Sequence, residues 1–154
     1  MIALRHYPIR SFSYYLRNNY PMSTILETAQ AAGAFKTLLA AVDAAGLREA
    51  LEGPGPFTVF APSDEAFAAL PSGTVQTLVD NPPQLARILK YHVIAGVYGK
   101  DQLLKQDQWP SLEGAAIPVR SHDPFEIKNA TVLTADVACS NGVVHVINRV
   151  ILPG

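Results

Sequence analysis

The period of the apolar positions changes once along the chain, near residue 90, and the change separates two kinds of structure. Ile25, Leu26, Ala29, Phe35, Leu38, Leu39, Val42 and Leu47 recur at steps of three and four, the spacing of one helix face. Gly33 and Gly46 fall where one helical stretch would stop and the next begin, which predicts two or three short helices with glycine at the joints. Ser23 is the expected N-cap of the first. Gly53-Pro54-Gly55-Pro56 cannot continue a helix, and Phe57-Thr58-Val59-Phe60-Ala61 has the β-branched and aromatic content of a buried strand. Pro62 ends it, and Ser63 caps a helix with Ala66, Phe67 and Leu70 on its inner face. Asp64 and Glu65 place negative charge at the positive end of that helix dipole. Residues 74–79 and 82–91 read as two more helices, the second with Leu85, Ile88 and Leu89 as its stripe.

Beyond that point short strand-like runs take over at residues 91–94, 116–120, 125–127, 130–135 and 143–150, separated by Gly, Asp, Asn and Pro. Helices followed by several antiparallel strands predict an α+β domain rather than alternating parallel units. Asn141-Gly142 suits a two-residue hairpin turn, and the run from Val143 to Val150 is apolar on both alternating sets, as in a strand buried on both faces.

Composition narrows the class. At 154 residues, 49% hydrophobic and 16% charged, the chain is long enough for one core and too apolar for disorder. A net charge of -1 with scattered Lys and Arg offers no field for a phosphate backbone, so nucleic acid is not expected as a partner. Cys139 is the only cysteine, which rules out an internal disulfide and a multi-thiolate metal site; it reads as a small buried side chain. No run approaches the ~20 apolar residues of a membrane span. Residues 1–21 carry Arg5, Arg10 and Arg17, no acid, and none of the apolar core of a secretory signal. They read as a tail ahead of a domain over residues 22–154, with three readings in order: a misassigned start, a basic aromatic extension that touches membranes, and a targeting segment. On sequence the chain as written is cytoplasmic.

Three blocks in order, FTVFAPSDEAF (57–67), ILKYHVIAG (88–96) and NGVVHVINRVILP (141–153), resemble the hallmark segments of the fasciclin domain family. The opening TILETAQAAGAFKTLLAAVDAAGLREAL is similar to that family's first helices, so the resemblance covers about residues 22–154. It implies a helical cluster packed on a β-sandwich-like wedge, with the first and last blocks as neighbouring central strands. It also implies a structural motif of Phe57, Phe60, Asp64, Phe67, Asn141, Gly142, His145 and Asn148, the last standing where the family often has aspartate. A non-enzymatic adhesion or interaction module follows, binding a protein, glycan or cell-surface component, although family members are typically secreted or surface-anchored. The alternative implied is a carrier of a carotenoid or lipid in an apolar cleft between helices and sheet.

No residues assemble chemistry. His92 and His145 lie in apolar runs where a backbone carbonyl or hydroxyl commonly satisfies an imidazole, and His6 and His122 are not at metal-ligand spacing. Asp64 and Glu65 are adjacent and do not converge on one substrate atom. No cofactor, metal or catalytic residue is expected. Four residues remain as contact candidates: the Tyr91-His92 pair, which matches the family's tyrosine–histidine motif, and Tyr98 and Trp109, read as exposed aromatics able to line a groove.

Overall fold

The computed structural model describes residues 23–121 and 125–153; the expected tail, residues 1–21, lies outside them. The helical block consists of α1 (Ile25–Ala32), α2 (Lys36–Ala44) and α3 (Arg48–Glu52). Gly33 is left-handed, at φ 75°, where α1 stops. Thr24, not Ser23, caps α1: its hydroxyl accepts the Glu27 N–H (3.2 Å) while the Glu27 carboxylate accepts the Thr24 N–H (2.8 Å). Glutamate three residues after the threonine is what closes both bonds at once.

β1 (Phe57–Pro62), α4 (Asp64–Ala68), α5 (Thr74–Val79), α6 (Pro82–Lys90) and β2 (Val93–Ala95) follow, and Tyr91, expected to open a strand, is the C-cap of α6. α7 (Lys100–Leu103) and β3 (Gln108–Pro110) come next, neither of them signalled by the apolar pattern. β4 (Ala116–Arg120), β5 (Glu126–Ile127), β6 (Ala130–Cys139) and β7 (Gly142–Ile147) complete the order. β7 stops at Ile147 rather than reaching Val150 because Asn148 turns back onto Thr131. Its N–H donates to the Thr131 carbonyl (3.1 Å) and its amide oxygen accepts the Thr131 N–H (2.8 Å). An amide oxygen serves there as well as a carboxylate oxygen would.

The strands form one seven-stranded sheet in the order β2-β1-β7-β6-β5-β4-β3. The first and last hallmark blocks are neighbours near one end of it, and they run parallel, from Phe57 opposite Gly142 to Pro62 opposite Ile147. This corrects the wholly antiparallel expectation; the long crossover between the two blocks is what permits a parallel pair. Such a pair is covered on both faces. Val59, Ala61 and Val144 face a cluster with Ile25, Leu38, Val42, Phe67 and Leu89 from the helices. Phe60 and Ile147 face a second cluster with Leu103, Trp109, Ile117, Phe125 and Ile127.

That second cluster lies within the sheet itself. β6 shifts register between Val132 and Thr134 and again between Thr134 and Val137, and such bulges sharpen the bend of a strand. β5, β4 and β3 therefore fold across β1 and β7. The two ends of the sheet meet where the Leu112 N–H, just past β3, donates to the Val93 carbonyl oxygen of β2 (2.8 Å). The sandwich-like wedge is one sheet nearly closed on itself.

Ser140 and Asn141, not Asn141 and Gly142, make the two-residue turn, since Cys139 pairs with Gly142. The Asn141 side chain leaves the turn and clamps the helical block. Its oxygen accepts the Ile25 N–H (3.0 Å), and its nitrogen donates to the carbonyls of Leu51 (2.7 Å) and Gly53 (2.9 Å). At Gly142 a Cβ would lie 1.9 Å from the Phe57 carbonyl oxygen, so close strand approach, rather than turn conformation, requires glycine. Asn141→Ala is expected to cost about 3 kcal/mol in urea unfolding, because it leaves buried backbone groups without partners. Gly142→Ala is expected to cost more. An Asn141→Ala variant within about 1 kcal/mol of the parent contradicts the clamp.

Candidate functional site

The Tyr91-His92 pair is built into the core. Tyr91 is 1% exposed, its hydroxyl donates to the Ala116 carbonyl (2.7 Å), and burial raises the phenol above its ordinary range. His92 donates from Nδ1 to the Ile88 carbonyl (2.8 Å) and accepts the Ile151 N–H at Nε2 (3.1 Å), which selects the neutral tautomer. Burial pushes its pKa down to about 4. The pair ties the end of α6 to the C-terminal segment and to β4. Tyr91 and His92, expected as contact candidates, are thus buried, with the end of α6 turning both rings inward.

His145, also buried, has the same two-sided arrangement. Nε2 donates to the Tyr98 carbonyl (3.0 Å) and Nδ1 accepts the Asp136 N–H (3.1 Å). Desolvation lowers its pKa from the ordinary value. Asp64 lies in the first turn of α4, which Ser63 caps through the Ala66 N–H (3.3 Å), but its carboxylate makes its hydrogen bond elsewhere. Its carboxylate instead accepts the Thr37 N–H (2.8 Å) in the first turn of α2, and that bond holds the carboxyl below its usual range. The expected apolar cleft between helices and sheet is a narrow cavity of about 30 Å³ lined by residues such as Ile25, Leu38, Val42, Leu89 and Val144. A space of that size has room for roughly one water and none for a carotenoid.

Trp109 is more buried than the exposed aromatic expected, though it still lines a groove. It is 9% exposed on β3, and its indole N–H donates to the Leu103 carbonyl (2.9 Å). The sequence missed β3 because its middle residue alone faces inward, with Gln108 and Pro110 exposed. Tyr98 is half-buried and lies against Trp109 at 4.5 Å between centroids. Together they floor a surface groove of about 380 Å³, completed by Ile94, Ala95, Gln106, Pro110, Ser111 and Leu112. Among the described residues, no charged side chain lines it. Leu112 is 43% exposed, and Val97, the neighbour of Tyr98, is 49% exposed.

The segment carrying Val97 and Tyr98 is held rigidly from below. The buried Thr58 hydroxyl accepts the Tyr98 N–H (2.9 Å) and donates to the Gly96 carbonyl (2.7 Å). His145 takes the Tyr98 carbonyl, and the Asp136 carboxylate accepts the Lys100 N–H (2.8 Å). Ile94, Ala95, Gln106, Pro110, Ser111 and Leu112 are the lining residues that sequence reasoning missed; Leu112 sits in an irregular segment where no period marks a face. Among the described residues no three His, Cys, Asp or Glu side chains converge as a metal site, and no helix is long and apolar enough to cross a membrane.

The buried histidines set the acid response of the fold. Neutral His92 contributes fully above its unfolded pKa of 6.5, and that contribution is lost as pH falls toward about 4. The gap corresponds to about 3 kcal/mol. Urea midpoints measured at pH 7 and pH 4.5 should fall markedly for the parent and less for His92→Gln, whatever that variant's stability at pH 7. Equal falls in both would show that His92 does not bind the proton.

The Fasciclin domain profile matches residues 33–153. The uncharacterized protein sll1735 of Synechocystis is 51% identical over 133 residues, covering 86% of this chain and 100% of that protein. The pig transforming growth factor-beta-induced protein ig-h3 is 40% identical over 139 residues, covering 86% of this chain and 20% of its own length. Among solved structures, the FAS1 domain pair of the insect cell adhesion molecule Fasciclin I superimposes with a TM-score of 0.51 at 23% identity, covering 92% of this chain and 44% of that one. That match speaks to the fold, and the sequence matches speak to descent. The chain belongs to the fasciclin domain family.

Proposed function

We propose that this domain is a non-enzymatic interaction module that docks a protein, glycan or cell-surface component on the groove formed by Tyr98, Trp109 and Leu112. One observation carries the reading: Leu112, a large apolar side chain that lines the groove, is 43% exposed, and the Tyr98 backbone that lines it too is held by the buried Thr58 hydroxyl and by His145. A surface of that kind loses little conformational entropy when it binds, which is what a recognition patch needs. Adhesion is what the name of the insect relative describes, and family membership supports the same class for this chain. The non-enzymatic part of the reading is supported by the histidines. Both imidazoles have each nitrogen engaged by backbone, leaving neither as a general base.

Retention of the full chain on protein and polysaccharide fractions of a cyanobacterial cell envelope tests it. Ala95→Glu and Leu112→Glu, both at exposed positions that line the groove, are each expected to weaken retention about tenfold or more, the effect of losing one apolar contact of a recognition surface. Leu133→Glu, at another exposed leucine that does not line the groove, should leave it unchanged. Equal retention of all three variants and the parent, or retention of none, overturns the proposal.

A further inference from the structure

His145 occupies the centre of β7, stacked on Phe60 (centroids 5.6 Å) and edge-on to Phe125 (6.2 Å). Its two nitrogens contact the two supports of the groove. Nε2 holds the Tyr98 carbonyl, and Nδ1 holds the Asp136 N–H. Asp136 stands in the bulged stretch of β6 with φ 62°, a left-handed conformation that non-glycine residues rarely adopt. Its carboxylate caps the first turn of α7 at Lys100, and the far end of α7 accepts the Trp109 indole N–H at the Leu103 carbonyl. Asp136 thus gives its amide to the imidazole and its carboxylate to the groove.

We propose that proton uptake by His145 exchanges the Asp136 amide for the Asp136 carboxylate at Nδ1 and so releases the α7–Trp109 side of the groove. The inference, a regulation of docking, rests on the groove being the docking surface. The neutral ring accepts at Nδ1; once a solvent proton sits there, two N–H groups oppose one another and the bond is lost. The acceptor within reach is the carboxylate of the same residue, which forms an ion pair with the imidazolium as the backbone leaves its left-handed conformation. Lys100 then loses its cap. Both arrangements satisfy the ring, and this gives the element two discrete states.

Among the described residues, the groups facing His145 are few. Asp136 approaches from β6 and favours the charged ring, and Lys100 approaches from α7, with its ammonium 5.8 Å from the centre of the Phe125 ring. β1 offers Phe60 and no charge. Burial outweighs the carboxylate, so the exchange falls on the acid side of the ordinary histidine range.

Trp109 is the only tryptophan and reports the released side directly. Its emission and the far-ultraviolet circular dichroism of the full chain would be followed together from pH 8 to pH 4.5. The expected result is an emission change whose midpoint lies on the acid side of the ordinary histidine range while the dichroism is still native. Asp136→Asn keeps an acceptor for Lys100 and tolerates the left-handed conformation but cannot form the ion pair, so its midpoint should move down by about one pH unit or more. His145→Gln should abolish the change. Emission that only tracks the dichroism, or an unshifted midpoint in Asp136→Asn, overturns the proposal. Should His145→Gln not fold, Asp136→Asn decides alone. The readout needs no partner, so a failure of the docking reading would appear in the retention assay and leave this transition intact.

Discussion

The close parallel contact between β1 and β7 is the constraint on which the rest of the molecule depends. With Phe57 opposite Gly142 and the Phe57 carbonyl oxygen where a Cβ would otherwise be, the two strands approach in one register only. Because both are covered on both faces, each residue along them goes to the helical core or to the core inside the sheet. A slip of one residue would send Phe60 toward the helices and Val59 into the sheet. Asn141 then fastens the helices to the same end, joining α1 and the end of α3 to the turn that starts β7. Two short sequence blocks more than seventy residues apart therefore settle where both cores lie.

Much of this was legible where burial and local chemistry agree. The three- and four-residue steps from Ile25 to Leu47, with Gly33 at a joint, correspond to the helical block, and Phe57-Thr58-Val59-Phe60-Ala61 is strand. The signal fails where pairing depends on a distant partner. Gln108-Trp109-Pro110 has one inward side chain and no alternation to detect, and the extension of β6 to Cys139 is carried by the bulges that bend it. Parallel pairing left no local trace because the chain between the blocks is neither a single helix nor a repeat. The burial of two contact candidates left no sign in the sequence for one reason: Tyr91 and Trp109 look like surplus aromatics there, yet each has a polar tip that finds a backbone carbonyl inside the fold.

The buried polar residues share a common use. Thr58, His92, Asn141 and His145 each bond backbone from a different segment, and none of the described buried side-chain polar atoms lacks a partner. They fix irregular stretches that hydrophobic packing alone leaves loose, because apolar contacts have no direction and hydrogen bonds do. The rigidity of the Val97–Tyr98 segment comes from that division of labour. It also places charge-sensitive groups beneath a surface that carries no charge itself.

The meeting of the sheet ends at Leu112 and Val93 bears on how such a domain behaves in a crowded mixture. An open sheet edge is a template on which foreign strands or further copies can grow, and it is a common origin of fibrous association. Here β2 is three residues long, and its outward Val93 carbonyl is already taken, so an arriving strand would first have to displace Leu112. Copies placed side by side at high density, as on a coated surface, would meet through side chains and remain separate folding units instead of merging into a continuous sheet.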